Sequence, residues 1–366
     1  MSLPAVHRDR LLQTLLDLVQ INSPSKQEEQ AVAYVRAALT ALGIASTVDG
    51  VNNIYAHLPE RNSTAAALLV NAHVDTVQPT PGIKVHMDGD VLRTDGTSVL
   101  GADDKAGVAA MLEVLQLLHT SDVAHAPLDI LFTVQEEIGL CGAKLVEFDR
   151  LTAREGVCLD VGGPAHHLVV AAPGQTGIEA TFIGQSAHAG VAPELGKNAI
   201  VAAAQAIAAI PLGRLDAETT ANIGLIRGGQ ARNIVPDRCE LVGEARSRDS
   251  GKLARQTEAM VAALHQAAEN TGCRLDLTVS DSYSAFSYDA TTPIVQRCQA
   301  AIRTLGREPQ LRSTGGGSDA NIFNKHGIAT ILLGVGYEDI HTPYEHIAMA
   351  SVVDITQMLL ALVTGV

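Results

Sequence analysis

Residues 66–77 read AALLVNAHVDTV, a run of apolar residues that ends in a histidine and an aspartate two positions apart. The apolar run is too short for a buried helix and therefore predicts a buried β-strand. Two similar runs follow, LDILFTV at 128–134 and GVCL at 156–159, and a helical pattern that begins near Lys105 separates the first run from the second. Strand, helix and strand in this order predict an α/β fold in which helices cover both faces of a sheet.

Acidic and imidazole side chains follow each of the three predicted strands. His73 and Asp75 follow the first strand, Glu136 and Glu137 the second, and Asp160 the third. Ligands of such sheets bind beyond the carboxyl ends of the strands. We therefore expect these side chains to share one site at this edge of the sheet.

The pattern changes at about residue 175 and indicates a second, smaller domain. Strand patterns that flank a Gly-Gly turn, an alanine-rich helix over 197–210 and a helix over 250–270 predict an α+β unit inserted into the larger domain. The predicted larger domain then consists of residues 1–174 and 287–366, and the inserted domain of residues 175–286. Near the N-terminus, Ser25 and Glu28 have the spacing of a capping box.

The composition favours a well-packed globular protein. Hydrophobic residues make up 46% of the chain, charged residues 18%, and the formal net charge is -14. Because this charge repels phosphate backbones and anionic lipids, nucleic-acid and membrane partners are not expected. The 5 cysteines form no close pair, which predicts a reducing, cytoplasmic setting. We expect neither a signal peptide nor a membrane anchor.

The segment LGADDKAG has two possible interpretations. Asp103 and Asp104 stand just before a predicted helix, where carboxylates often serve as helix caps. However, several carboxylates at one sheet edge repel one another, and bound divalent cations would remove that repulsion. A site for two zinc ions needs a second histidine. His341 in the segment HTPYEHI is the first candidate, and His346 is the alternative.

The segments HVD, GADDK, QEEIG, LDVGG and IHTPYEH follow one another in this order along the chain. In this arrangement they resemble the motifs of the dinuclear zinc exopeptidases, which include peptidase T, carboxypeptidase G, acetylornithine deacetylase and aminoacylase. The resemblance extends over nearly the whole chain and is greatest to the peptidase T-like members. It implies a zinc-exopeptidase-like mixed sheet flanked by helices, with an inserted lid domain through which two copies form a homodimer.

The resemblance also implies a role for each matched residue. The implied ligands of two Zn²⁺ ions are His73 and Asp160 for one ion, Glu137 and His341 for the other, and Asp103 as the bridge between them. Co²⁺ or Mn²⁺ could replace zinc at such a site. Asp75 would orient His73, and Glu136 would be the general base that activates the attacking water. Members of the family have a cis peptide bond after the bridging aspartate, which predicts a cis Asp103–Asp104 bond here.

The inserted domain is expected to contribute to substrate binding. By resemblance, His188 in GQSAHAG would hold the substrate carbonyl or oxyanion, and Asn233 and Arg246 would hold a terminal carboxylate or carbonyl, with Arg248 as the alternative to Arg246. Gly316, in the glycine-rich loop STGGGSDA, would line the substrate pocket. The expected substrate is a short peptide, and removal of the N-terminal residue from a di- or tripeptide is the first interpretation.

Alternative functions stay open on the sequence alone. A carboxypeptidase or an amidohydrolase acting on N-acyl amino acids would use the same metals and the same base. A catalytically silent binding protein would retain only the fold. A flavodoxin-like or nucleotide-binding protein is disfavoured, because no glycine-rich phosphate loop follows the first strand.

Overall fold

The computed structural model describes residues 3–80 and 82–365, and the chain folds into two compact units. The first unit runs to Val170 and continues through Tyr288–Ser313 and from Ser318 onward. The second unit comprises Ala171–Ser287 and Thr314–Gly317. Among the described residues, none of the helices combines the length and the apolar character that a membrane span requires.

The α-helices are numbered in chain order. They are α1 (Arg8–Gln20), α2 (Glu29–Ala41), α3 (Ala102–Thr120), α4 (Cys141–Lys144), α5 (Ala199–Ala209), α6 (Ser250–Thr271), α7 (Pro293–Thr304), α8 (Asp319–Lys325) and α9 (Met349–Thr364). Short 3-10 helices lie at Phe148–Arg150 and Pro193–Leu195.

The strands are numbered in the same way. They are β1 (Ser46–Val48), β2 (Ile54–Leu58), β3 (Leu68–His73), β4 (Val85–Asp88), β5 (Val91–Thr94), β6 (Leu128–Thr133), β7 (Glu155–Val161), β8 (His167–Ala172), β9 (Gly174–Ile183), β10 (Gly213–Arg214), β11 (Thr219–Gly228), β12 (Arg238–Ser247), β13 (Arg274–Tyr283), β14 (Phe286–Ser287), β15 (Gln310–Ser313), β16 (Ala329–Gly334), β17 (Tyr337–Glu338) and β18 (His346–Ala348).

The large sheet of the first unit contains both parallel and antiparallel pairs. Seven of its strands lie in the order β1-β2-β6-β3-β7-β16-β8, and β15 also pairs with β8. Strands β6, β3, β7 and β16 are parallel to their neighbours in this series, whereas β2 and β8 pair antiparallel with β6 and β16. Every residue of β3 and β6 is buried, as expected where both faces of a sheet are covered. The predicted α/β fold, a mixed sheet flanked by helices, is confirmed.

Helical periodicity accounts for the packing around this sheet. In α1 the buried side chains Leu11, Leu15 and Leu18 recur at the spacing of one helical face. Helix α1 packs against α3 and α9, and α3 also packs against β3 and β7. Helix α3 is buried along most of its length, which agrees with the mostly apolar sequence after its first turn. A small antiparallel sheet, in the order β17-β18-β5-β4, completes the first unit.

The second unit is a five-stranded antiparallel sheet with two helices. Its strand order is β10-β11-β12-β9-β13, and α5 and α6 pack against it. The side chains of Asn198 and Asp249 cap these two helices by accepting hydrogen bonds from the backbone amides of Val201 and Lys252. The smaller α+β unit expected from the sequence is therefore present.

The capping box predicted at Ser25 and Glu28 is wrong. Helix α2 begins at Glu29, and no side chain caps its first turn. The hydroxyl of Ser25 instead donates a hydrogen bond of 2.6 Å to Asp75. The Glu28 carboxylate accepts hydrogen bonds from the amides of Lys26 and Gln135. Both side chains are therefore engaged in contacts that a local sequence pattern does not reveal.

Candidate metal centre

His73 ends strand β3, and its imidazole is held from one side. Its Nδ1 lies 3.0 Å from the backbone oxygen of Asp75 and 3.5 Å from the Asp75 carboxylate. Its Nε2 faces two other carboxylates, at 3.4 Å from Asp103 Oδ1 and 3.7 Å from Asp160 Oδ1. Since contact with residue 75 fixes the ring, Nε2 is the nitrogen available to a metal ion.

The start of helix α3 is distorted where it contributes to this cluster. Asp103 and Asp104 are buried, have non-helical backbone angles and are joined by a cis peptide bond. The predicted cis Asp103–Asp104 bond is thus confirmed. Neither aspartate caps helix α3, because no side chain at the start of this helix makes a capping hydrogen bond. The interpretation of the two aspartates as helix caps is therefore wrong.

Glu136 and Glu137 follow strand β6 in a tight turn. Gln135, which precedes them, has a positive φ of 55°. Asp75 Oδ1 accepts the amide of Glu136 at 3.0 Å, and Asp75 Oδ2 accepts the amide of Glu137 at 3.2 Å. The aspartate predicted to orient His73 therefore also holds the segment that carries both glutamates.

His341 completes the cluster from a loop between β17 and β18. Its Nε2 lies 3.0 Å from Glu137 Oε2 and 3.5 Å from Asp103 Oδ2. His346, the alternative candidate, lies instead 3.9 Å from the carboxylates of Glu338 and Asp339. The geometry therefore brings His341 into the cluster and leaves His346 outside it.

The chemistry of this cluster fits a divalent cation. Two overlapping groups have possible ligand atoms within 4.8 Å of one another, namely His73 with Asp104 and Asp160, and His73 with Asp103 and Glu137. Glu137 Oε1 is buried and has no hydrogen-bond partner among the described residues. Because a buried carboxylate oxygen without a partner is costly, a bound cation would be its natural partner.

Without a metal ion, the negative charges of the cluster are compensated by protons on its histidines and carboxyl groups. Hydrogen bonds to Asp103 and Glu137 raise the pKa of His341 to about 10. Burial raises the pKa of Asp160 to about 6 and that of Glu136 well above its ordinary value. For Asp103, burial opposes ionisation, but hydrogen bonds from His341 and His73 outweigh it and lower the pKa of the carboxyl. A metal ion would replace these protons as the compensating charge.

Sequence reasoning missed several buried charged groups next to the cluster. Glu345 accepts hydrogen bonds from the amides of Gly101 and Asp103. Asp319 is 1% exposed, accepts a hydrogen bond of 2.5 Å from the Thr133 hydroxyl and has a pKa that burial raises to about 7. Both lie within segments that also contain predicted site residues, Glu345 in HTPYEH and Asp319 next to the glycine-rich loop in GGGSDA. That proximity is the one sequence signal that pointed to them.

Lys105 is a third buried charged group that sequence reasoning left without a role. Its Nζ donates a hydrogen bond of 2.7 Å to the backbone oxygen of Ile21. Burial lowers the pKa of the amine to about 7. The lysine of the GADDK segment therefore anchors the first turn of α3 and points away from water.

The four predicted substrate-binding residues lie in the second unit. His188 and Asn233 are exposed and lie in facing segments, where a β-bridge pairs His188 with Ile234 and the amide of Ala189 donates to the backbone oxygen of Asn233 at 3.0 Å. Arg246 on β12 already makes a two-pronged contact with Glu244, at 2.8 and 3.0 Å. The amide of Gly316 donates to the Thr314 hydroxyl. Their roles toward substrate stay predictions.

Comparison with known proteins identifies the family. The model of peptidase family M20/M25/M40 matches residues 69–365. The chain belongs to this family. A protein of Bacillus subtilis with no assigned function, YqjE, is 39% identical over 98% of both chains.

Two solved structures are similar to this chain over nearly its whole length. The structure of aminopeptidase PepT from Bacillus cereus is 38% identical, has a TM-score of 0.88 and covers 98% of this chain and 99% of its own. A tripeptidase from Staphylococcus aureus is 37% identical, with a TM-score of 0.93 and 99% coverage of both chains. The predicted family and the predicted class, a hydrolase acting on peptide bonds, are confirmed. A peptidase T-like exopeptidase is the function that these comparisons support.

Proposed function

We propose that this M20 family chain is a metal-dependent aminopeptidase that removes the N-terminal residue from tripeptides and similarly short peptides. The observation that carries the proposal is the convergence of two histidines and several carboxylates, one with an unpartnered buried oxygen, at a single edge of the sheet. The solved relatives named as an aminopeptidase and a tripeptidase support the choice of substrate class.

Two Zn²⁺ ions are proposed as the native metal, with Co²⁺ and Mn²⁺ as substitutes. The residues that would hold them are His73 and Asp160, Glu137 and His341, and Asp103 between the two pairs. Such ions, when bound, lower the pKa of a coordinated water and polarise a carbonyl group. The mixture of imidazole and carboxylate ligands suits zinc but does not exclude neighbouring transition metals.

Glu136 is proposed as the general base. Its side chain is buried, and burial together with the charge of Asp160 raises the pKa of its carboxyl well above the usual value. A carboxylate of raised pKa accepts a proton from the attacking water at one of its oxygens. The same oxygen can then deliver that proton to the nitrogen of the leaving amine. Asp75 holds the backbone of this residue in place by accepting a hydrogen bond from the Glu136 amide.

The second unit is proposed to bind the substrate. His188 would donate to the substrate carbonyl, and Asn233 and Arg246 would bind its terminal carboxylate, with Gly316 lining the pocket. Since Arg246 is paired with Glu244, the substrate carboxylate must compete with that partner. We further propose that residues 175–286 act as a lid through which two copies form a homodimer, and that the enzyme acts in the cytoplasm.

A peptide panel tests this function. Tripeptides with free ends are compared with dipeptides, with tripeptides whose N-terminus or C-terminus is blocked, and with N-acetyl amino acids. We expect release of the N-terminal residue from free tripeptides, loss of this activity in a metal chelator, and recovery when Zn²⁺ is added back. Blocking the N-terminus should abolish hydrolysis.

Other results of the same panel would contradict the proposal. Release of the C-terminal residue would indicate a carboxypeptidase, and cleavage of N-acetyl amino acids an amidohydrolase. Full activity after exhaustive chelation would exclude a metal-dependent mechanism.

A further inference from the structure

Glu345 is a buried carboxylate that binds the start of helix α3 from a distant part of the chain. Its side chain is 1% exposed. Its Oε2 accepts the amide of Gly101 at 2.7 Å, and its Oε1 accepts the amide of Asp103 at 2.9 Å. Both oxygens of one carboxylate are therefore used on two amides of the same turn.

Helix α3 needs such a partner because its own residues do not cap it. The first amides of a helix have no acceptor within the helix, and a nearby aspartate usually supplies one. Here the aspartates at this position, Asp103 and Asp104, belong to the candidate metal cluster and form no cap. Glu345 takes over that task, and its negative charge is favoured at the N-terminus of a helix.

The same contact joins two segments that contribute to the cluster. Glu345 lies four residues after His341 in the chain, and one of its two partner amides belongs to Asp103 itself. His341 Nε2 lies 3.5 Å from Asp103 Oδ2. His341 itself is exposed and has a positive φ of 62°. Its backbone position therefore depends on contacts made by neighbouring residues of the loop.

We propose that Glu345 is a positioning residue that sets the spacing between His341 and Asp103, and thereby the affinity for the divalent cation held by His341, Asp103 and Glu137. The inference rests on the proposed function in one respect, that the cluster binds metal. It does not depend on which peptide is cleaved. Glu345 contacts neither His73 nor Asp160 in the described structure, so it can act on the cation that they hold only through the shared ligand Asp103. That cation should therefore be affected less.

Asp129 offers a matched control. It is also a buried carboxylate of the first unit, and it accepts the amides of Thr152 at 2.6 Å and Ala153 at 2.7 Å. It lies near the start of β6, whereas the cluster lies beyond the end of that strand. Both amides bind the same oxygen, Oδ2, so Asp129→Asn removes the charge of a comparable clamp without touching the cluster.

The test measures metal binding and not turnover. Wild-type protein, Glu345→Gln, Glu345→Ala and Asp129→Asn are made metal-free and titrated with Zn²⁺ against a chromophoric chelator. We expect two binding events in the wild type. In both Glu345 variants one dissociation constant should rise by about 10- to 100-fold, the range seen when an outer partner of a metal ligand is lost. The other should rise by less than this.

The spectrum of the Co²⁺-loaded protein and thermal unfolding of the metal-free protein accompany this titration. Asp129→Asn should unfold at a lower temperature but keep both dissociation constants. If Glu345→Ala does not fold, Glu345→Gln decides, because glutamine has nearly the same shape. A folded Glu345→Gln with two wild-type dissociation constants and an unchanged Co²⁺ spectrum would overturn the inference, as would an equal loss of metal in Asp129→Asn.

These results separate the inference from the proposed function. Wild-type protein that binds two ions but cleaves no peptide would overturn the proposed function, while the titration of the variants would still decide the role of Glu345. Wild-type protein that binds no Zn²⁺ would overturn both.

Discussion

The Asp75 carboxylate accepts the backbone amide of Glu136 at 3.0 Å, so the aspartate beside His73 also holds the proposed general base. Its second oxygen accepts the amide of Glu137 and the hydroxyl of Ser25. One buried side chain therefore fixes the histidine at the end of β3 and the glutamates at the end of β6. This arrangement makes Asp75 the residue on which the geometry of both strand ends depends.

Replacement of Asp75 should impair activity more than stability. In Asp75→Asn the side chain keeps its shape, but its amide group must face either the Glu136 amide or the Glu137 amide and cannot accept from both. We expect kcat/KM for a tripeptide to fall by about 10- to 100-fold, the usual cost of losing an outer partner of a metal ligand. Steady-state kinetics at saturating Zn²⁺ measure this change.

Ser25→Ala is the matched control for that variant. It removes one of the hydrogen bonds to Asp75 and leaves both amide contacts in place. The expected fall in kcat/KM is therefore several-fold at most. A larger effect of Ser25→Ala than of Asp75→Asn would show that the amide contacts are not what matters.

Replacement of Glu136 should abolish turnover without releasing metal. Glu136→Gln removes the group that accepts the proton, while the predicted ligands stay unchanged. General bases of this kind contribute about 10²- to 10⁴-fold to the rate, so we expect a loss of kcat of at least this size. Zinc content by elemental analysis should remain near that of the wild type. Retained turnover in the purified variant would exclude Glu136 as the base.

The metal-free protein should lose stability as the pH rises from 5 to 7. Burial raises the pKa of Asp160 to about 6 and those of Asp319 and Glu345 to about 7, so each carboxyl keeps its proton in the folded state where the unfolded chain has lost it. When the folded state binds more protons, stability falls with pH, by about 1.4 kcal/mol per pH unit for each excess proton. Lys105, whose pKa is lowered to about 7, stays protonated in both states below that pH.

Chemical unfolding at pH 5, 6 and 7, with chelator and with Zn²⁺, measures this dependence. Bound Zn²⁺ should flatten the pH dependence, because it displaces the protons from the cluster. Asp319→Asn should also reduce the slope in chelator, since one of the titrating groups is removed. Stability of the metal-free protein that increases from pH 5 to pH 7 would contradict the assignment of protons to these carboxyls.

Local patterns predicted these strands well because each is a short apolar run that ends at polar residues. The runs at 66–70, 128–134 and 156–159 correspond to β3, β6 and β7. The predicted and observed bounds differ by a few residues. The capping box at Ser25 failed for the opposite reason. Its spacing is local, but the hydroxyl binds Asp75, 50 positions away in the sequence. A pattern of four residues contains no information about a hydrogen-bond partner so far away in the sequence.

The site was predictable to the extent that its residues follow strands or recognisable motifs. His73, Asp103, Glu137, Asp160 and His341 were all named from the sequence, and the structure brings them together. Glu345 and Asp319 were not, because their partners are backbone amides and a hydroxyl more than 180 positions away. Such contacts depend on tertiary structure and leave no periodicity in the chain.

Gly107 of helix α3 lies close against strand β7, and its replacement should disturb the cluster. A Cβ atom added there would lie 2.6 Å from the backbone oxygen of Leu159 on β7 and would overlap the Asp104 carboxylate. Alanine is normally favoured over glycine in a helix by about 1 kcal/mol. Overpacking typically costs about 1–3 kcal/mol, so the clash should outweigh that gain. We therefore expect Gly107→Ala to lower the free energy of unfolding and to weaken Zn²⁺ binding.

Gly50→Ala is the control, since a Cβ there meets no atom within 4 Å and should leave both properties unchanged. An increase in stability of Gly107→Ala, measured by chemical denaturation without metal, would mean that the helix can move away from β7 at little cost.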